Sequence, residues 1–101
     1  MTEIEFGSEK IENAKIKFAQ TEIDEKSNKM IAQIGFEIAG GKVITTNISE
    51  LNTEKMKNIL NILEIRIWEE LPKKYVRIAI SNSKITKIGN ILNDRWIKIC
   101  Q

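Results

Sequence analysis

Apolar and polar positions alternate along most of the chain, with one interruption of helical period in the middle. In residues 11–20 (IENAKIKFAQ), Ala14, Ile16 and Phe18 fall on one side and Lys15 and Lys17 on the other. Period-two alternation predicts a half-buried strand. The polar stretch 24–28 reads as a turn. Residues 29–38 then alternate again, with Met30, Ala32, Ile34, Phe36 and Ile38 inward and Gln33, Gly35 and Glu37 outward. The two strands read as a hairpin. Gly40-Gly41 supplies a turn, and positions 42–47 read as a third strand with Val43 or Ile44 buried.

The period then changes. Met56, Ile59, Leu60 and Leu63 stand at i, i+3, i+4 and i+7, one face of a helix. Asn52 or Thr53 is placed to cap its N-terminus, and Glu54 suits the first turn, so the helix is predicted at about 52–64. Ile65 and Ile67 leave the stripe, and Pro72 forbids continuation. Residues 75–80 predict a fourth strand, with Val76, Ile78 and Ile80 on one face and Tyr75, Arg77 and Ala79 on the other. Ser81-Asn82-Ser83 turns it into a fifth strand at 84–88. A tight turn at Asn93-Asp94 would lead to a last short strand through Trp96 and Ile99. The first ten residues are either a frayed terminus or a short edge strand. The order implies an α+β fold: a small antiparallel sheet of five to six strands with one main helix on a face.

Composition narrows the function classes. A chain of 101 residues is one domain's worth, and 20 isoleucines against 5 leucines favour strands. No apolar run approaches the roughly 18 residues of a membrane helix, and no signal-peptide pattern opens the chain. A soluble, cytoplasmic protein is expected. Histidine is absent, which removes serine–histidine and cysteine–histidine catalysis and histidine-ligated metal. The lone Cys100 forms no internal disulfide and has no histidine to activate it. None of the carboxylates has a partner at acid–base or metal spacing, and Gly40-Gly41 lacks the lysine and hydroxyl of a phosphate loop. The residues point to a binding domain without cofactor or metal.

Charge and aromatics concentrate in the second half. Residues 1–50 carry net −3 and residues 51–101 net +5, and all three arginines, both tryptophans and the single tyrosine lie between Arg66 and Trp96. Arginine forks bind phosphate and stack on rings, and aromatic rings stack on bases. A nucleotide-like ligand therefore suits this half. The alternative is that Trp68 and Trp96 anchor the core while the arginines pair with Glu69, Glu70 and Asp94.

The segments WEELPKKYVRI (68–78) and ITKIGNILNDRW (85–96) resemble a phage-encoded family with the pattern WEEL-x-GK-Y-V-R-V … I-x-x-I-GH-I-x-x-D-x-W. IENAKI, IAQIGFEI and the helix before Trp68 are placed as in that family, which includes the Thoeris anti-defence sponges. The chain departs from it where AGGKVITTN replaces a glycine-rich G-F-G-G-Y stretch, and where Gly89-Asn90 replaces GH. The resemblance implies a homo-oligomer, a homodimer at least. It would sequester a cyclic nucleotide immune signal of the cyclic ADP-ribose-isomer type without cleaving it, in the cytoplasm of an infected bacterium. The implied ligand-binding residues are Arg77, Asn90, Asp94, Arg95 and Trp96, with Tyr75 as a stacking group and Asp94 alternatively a turn residue fixing Arg95. A pocket between subunits would suit a chain with little concave surface of its own. The competing expectation is an interaction module that blocks a host defence protein, such as a nuclease, by direct contact. A single-stranded nucleic-acid binder is the weaker third reading.

Overall fold

The computed structural model describes residues 9–99; Cys100 and the reading of the first residues as frayed end or edge strand lie outside that range, Glu9 and Lys10 apart. Six strands form one sheet: β1 (Lys10–Asp24), β2 (Lys29–Glu37), β3 (Val43–Ile48), β4 (Tyr75–Ser81), β5 (Lys84–Asn90) and β6 (Trp96–Lys98). A single α-helix, α1 (Thr53–Leu63), interrupts them, with one-turn 3₁₀ segments at Ala39–Gly41 and Trp68–Glu70. The sheet order is β3-β2-β1-β4-β5-β6, and every pairing is antiparallel. The α+β class and the single main helix are as expected from the sequence.

Each connection has a local cause. The β1–β2 loop closes as Asn28 donates its N–H to the Asp24 carbonyl at 2.7 Å while Asn28 takes a left-handed φ of 59°. Asparagine tolerates that region better than most residues. Asn82 and Ser83, both at positive φ, form the two-residue turn between Ser81 and Lys84, a geometry that matches the twist of the strands it joins. Asn52 caps α1, its Oδ1 accepting from the Lys55 N–H at 2.7 Å. The helix ends where Glu64 turns left-handed and Ile65 donates back to the Leu60 carbonyl.

Helix α1 lies against β5 and β6, covering one face of the sheet. Ile59 and Leu63 from its stripe are buried among Ile16, Ile34, Phe36, Ile48, Val76, Ile78, Ile85 and Ile88, with Leu71 also in this core. The opposite face of the sheet carries no helix among the described residues and presents Lys15, Tyr75, Arg77, Lys87 and Trp96. Antiparallel sheets sustain such an open face because their side chains alternate.

Two β-bulges alter the faces that strict alternation predicts. In β1 the register with β2 slips between Ile16 and Phe18. The extra residue, Lys17, returns Ala19 to the core face and turns Phe18 outward. The expectation that Ala14, Ile16 and Phe18 share a side therefore fails at Phe18, which lies over Gly35 on the open face. The register also shifts between Ala79 and Ile80, opposite Lys87 and Ile85. There Thr86 is the extra residue, and Ile85 and Ile88, three apart, both enter the core. In β3 it is Ile44 that is half-buried, while Val43 is exposed.

Candidate functional site

On the open face, strand pairing aligns Asn13, Arg77, Gly89 and Trp96 across β1, β4, β5 and β6. Glycine at position 89 lets the Trp96 indole lie across the strand. A methyl group built on Gly89 would sit 2.7 Å from the ring carbons Cδ2 and Cε3 of Trp96. The ring thereby reaches Arg77, whose Cζ is 4.8 Å from its centroid, a cation–π distance. Asp94 steadies the indole by accepting from Trp96 Nε1 at 2.8 Å, and its carboxylate also faces Arg77 at 3.6 Å.

Arg77 donates twice to backbone carbonyls at and just beyond the end of β5. Its Nε donates to the Asn90 carbonyl at 2.8 Å and its Nη2 to the Asn93 carbonyl at 2.6 Å. Asn90 holds the same loop from the other side. It is 5% exposed; its Nδ2 donates to the Ile62 carbonyl at 2.8 Å, and its Oδ1 accepts from the Leu92 N–H at 2.7 Å. Both ends of this amide are thus committed to joining α1 to the β5–β6 loop, and the side chain is not presented to solvent. Asp94 sits in that loop, and the side chain its carboxylate holds is Trp96 rather than Arg95.

The next row on the same face is Ile11, Ala79, Lys87 and Lys98. Lys87 and Lys98 are direct cross-strand partners. Like charges in that arrangement repel. Glu9 partly offsets this, with its Oε1 3.4 Å from Lys87 Nζ. Together Glu9, Ile11, Arg77, Lys87, Asp94, Trp96 and Lys98 line a concavity of about 530 Å³, a size that suits a small ligand. Its three cations against two carboxylates leave it positive by one.

The six residues singled out from the sequence do not converge on one point. Arg77, Asp94 and Trp96 meet in this concavity. Tyr75, 60% exposed, lies outside it, with Lys15 Nζ 5.9 Å from its ring centroid and Asn13 and Glu37 beside a smaller hollow. Arg95 points into a different groove, about 460 Å³, between α1 and β6, with Asn58, Asn61 and Ile62. Trp96 borders both spaces. Trp68 packs against the core, as the core-anchor alternative expected, and its indole N–H has no acceptor among the described residues. The lysines at 87 and 98 escaped the sequence reading. Alternation puts Lys98 beside Trp96 and Lys87 beside Gly89, but only the strand register brings the two pairs together.

Among the described residues no group of three or more acidic or cysteine side chains is placed to hold a metal ion, and no helix is long and apolar enough to cross a membrane. Comparison of the chain with protein families, curated proteins and solved structures gives no match.

Proposed function

We propose that the open-face concavity captures a small anionic ring-bearing ligand, a cyclic nucleotide of the ADP-ribose-isomer type, and holds it without cleaving it. The observation that carries this reading is the cross-strand pairing of Lys87 with Lys98 beside the Arg77–Trp96 stack. Two ammonium groups facing each other are better satisfied by a phosphate than by each other, and the indole offers apolar surface to a base. Arg77, tied to two carbonyls, acts chiefly as fixed positive charge and as the support of Trp96.

Capture alone asks for binding energy and no proton transfer, which agrees with a chain that lacks histidine. A sponge working at nanomolar ligand needs about −12 kcal/mol. Charge-assisted contacts from the lysines and stacking on the indole are the available sources. In this reading the chain is an anti-defence protein that lowers the free concentration of an immune signal, as the resemblance of its second half to the phage family implies.

The test is a binding titration of Lys87→Glu/Lys98→Glu against the unaltered protein, with a cyclic ADP-ribose isomer as ligand. Both side chains lie outside the core, so the fold should persist. Affinity is expected to fall by at least about 100-fold, roughly the 3 kcal/mol that two charge reversals in one site represent. Lys26→Glu/Lys57→Glu, at two exposed lysines in the β1–β2 loop and on α1, makes the same change in net charge and should bind normally. Equal affinity for the double variant and the unaltered protein would exclude this concavity as the site.

A further inference from the structure

The groove between α1 and β6 has a chemistry distinct from that of the open-face concavity it adjoins at Trp96. Half-buried Ile62, Trp96 and Ile97 give it an apolar floor, and exposed Asn58, Asn61 and Arg95 stand around it. No carboxylate is among these lining residues. The two asparagines are three apart on α1 and so share a face. Asparagine is a poor helix former, because its amide competes for backbone hydrogen bonds. The side-chain hydrogen bonds that asparagines make within the described chain belong to Asn52, at the helix cap, and to buried Asn90. The carboxamides of Asn58 and Asn61 keep their acceptor and donors for a ligand.

Both walls of the groove are fixed by one residue. Asn90 Nδ2 donates to the Ile62 carbonyl at 2.8 Å, which holds α1, and the Asn90 N–H donates to the Arg95 carbonyl at 2.9 Å, which holds the start of β6. A groove shaped in advance spends less of its binding energy on ordering itself.

We infer that this groove receives the adenine base of the ligand, with the base edge read by the carboxamides of Asn58 and Asn61 and its face covered by the Arg95 guanidinium. The inference rests on the ligand reading above and adds a second half to that site. A carboxamide matches adenine because it accepts from the N6 amine while donating to N7. Guanine and hypoxanthine instead present two acceptors, O6 and N7, and set an acceptor where the carboxamide oxygen needs a donor. A guanidinium plane stacks on an aromatic ring, and the isoleucines supply the apolar surface beneath it.

The position of the groove supports its joining the lysine pair in one site. Strand β6 is an edge of the sheet, and among the described residues no strand pairs with its outer side. Arg95 and Trp96 are adjacent in the chain, and Lys98 shares the open face with Trp96. A ligand astride this edge keeps its base on the α1 side and its phosphates on Lys87 and Lys98, with Trp96 between them.

Adenosine and inosine, which carry no phosphate and differ at one purine substituent, test the groove by itself. In heteronuclear NMR spectra the side-chain amide signals of Asn58 and Asn61, identified by their loss in Asn58→Ala and Asn61→Ala, should move on titration with millimolar adenosine. Inosine should bind more weakly by about 5-fold or more. Asn58→Ala/Asn61→Ala keeps α1, since alanine is the better helix former. It should lose the preference for adenosine and weaken binding of a cyclic ADP-ribose isomer by at least about 10-fold. Lys87→Glu/Lys98→Glu should leave the adenosine shifts in place. Such shifts in a chain that does not bind the cyclic ligand would support the groove and overturn the ligand reading alone. Amide signals that stay still, a preference for inosine, or full affinity of the asparagine double variant for the cyclic ligand would overturn the groove.

Discussion

Trp96 and Gly89 are cross-strand partners, and the missing side chain of one is the resting place of the other. The pairing is what allows the indole to reach Arg77 and to form one wall of the candidate site. A similar pairing, Phe18 on Gly35, occurs between β1 and β2. Covering a strand glycine with an aromatic ring restores contacts that the glycine itself does not make.

Gly89→Ala should force the ring away from β5, since the added methyl would sit 2.7 Å from two of its carbons. The expected cost is about 1–3 kcal/mol, the usual range for overpacking. Denaturant unfolding measures it, and Trp96 emission, read in a Trp68→Phe background, should move to longer wavelength as the indole becomes wetter.

Phe18 and Gly35 offer a coupled version of the same test. Gly35→Ala alone should destabilise by about 1–3 kcal/mol, because a methyl group there overlaps the Phe18 ring. In a Phe18→Ala background the same change should cost little. A double-mutant cycle that showed simple additivity would mean the ring is not what excludes a side chain at position 35.

Asn90→Ala deletes both bonds of a buried amide, to the Ile62 carbonyl and the Leu92 N–H. A loss of about 2–3 kcal/mol in stability is expected, since the backbone partners are left without their mate. If Asn90 instead served mainly to touch ligand, the variant would keep its melting temperature and lose only binding.

Backbone neighbours of Glu70 shift the ionisation of its carboxyl. The Arg66 N–H, donating to its Oε1 at 3.0 Å, is the main influence holding this carboxyl below its ordinary value; desolvation opposes it, and the Ile67 N–H and the charges of Arg66 and Lys74 assist. A depressed folded-state value means the contribution is present above the unfolded pKa, near 4.3, and is lost as pH falls through the lower folded value. Glu70→Gln should therefore flatten the decline of stability below about pH 4.3, and equilibrium unfolding across that range would show it.

Strands and helix were legible in the sequence wherever period and turn chemistry agreed. Ala32, Ile34 and Phe36 are buried as alternation implies, and Asn52, Ile59 and Leu63 cap and anchor the helix where the i, i+3, i+7 stripe put it. Phe18 misled because a bulge inserts one residue without any marker in residue type; Lys17 looks like an ordinary outward position. The site was legible only in part, for a different reason. Arg77, Asp94 and Trp96 could be grouped by type and nearness in sequence. Asn90 and Arg95 sit beside them in the chain, yet the Asn90 amide is buried and Arg95 lines the α1 side. Lys87 and Lys98 are eleven residues apart and meet only through the β5–β6 register.

The most direct measurement is a calorimetric titration of the protein with a cyclic ADP-ribose isomer, with linear ADP-ribose as comparator. Capture without cleavage requires tight, saturable binding of the cyclic ligand, weaker binding of the linear one, and recovery of intact cyclic ligand once the protein is heat-denatured. Absence of binding at high micromolar ligand, or recovery of a cleaved product, would contradict it.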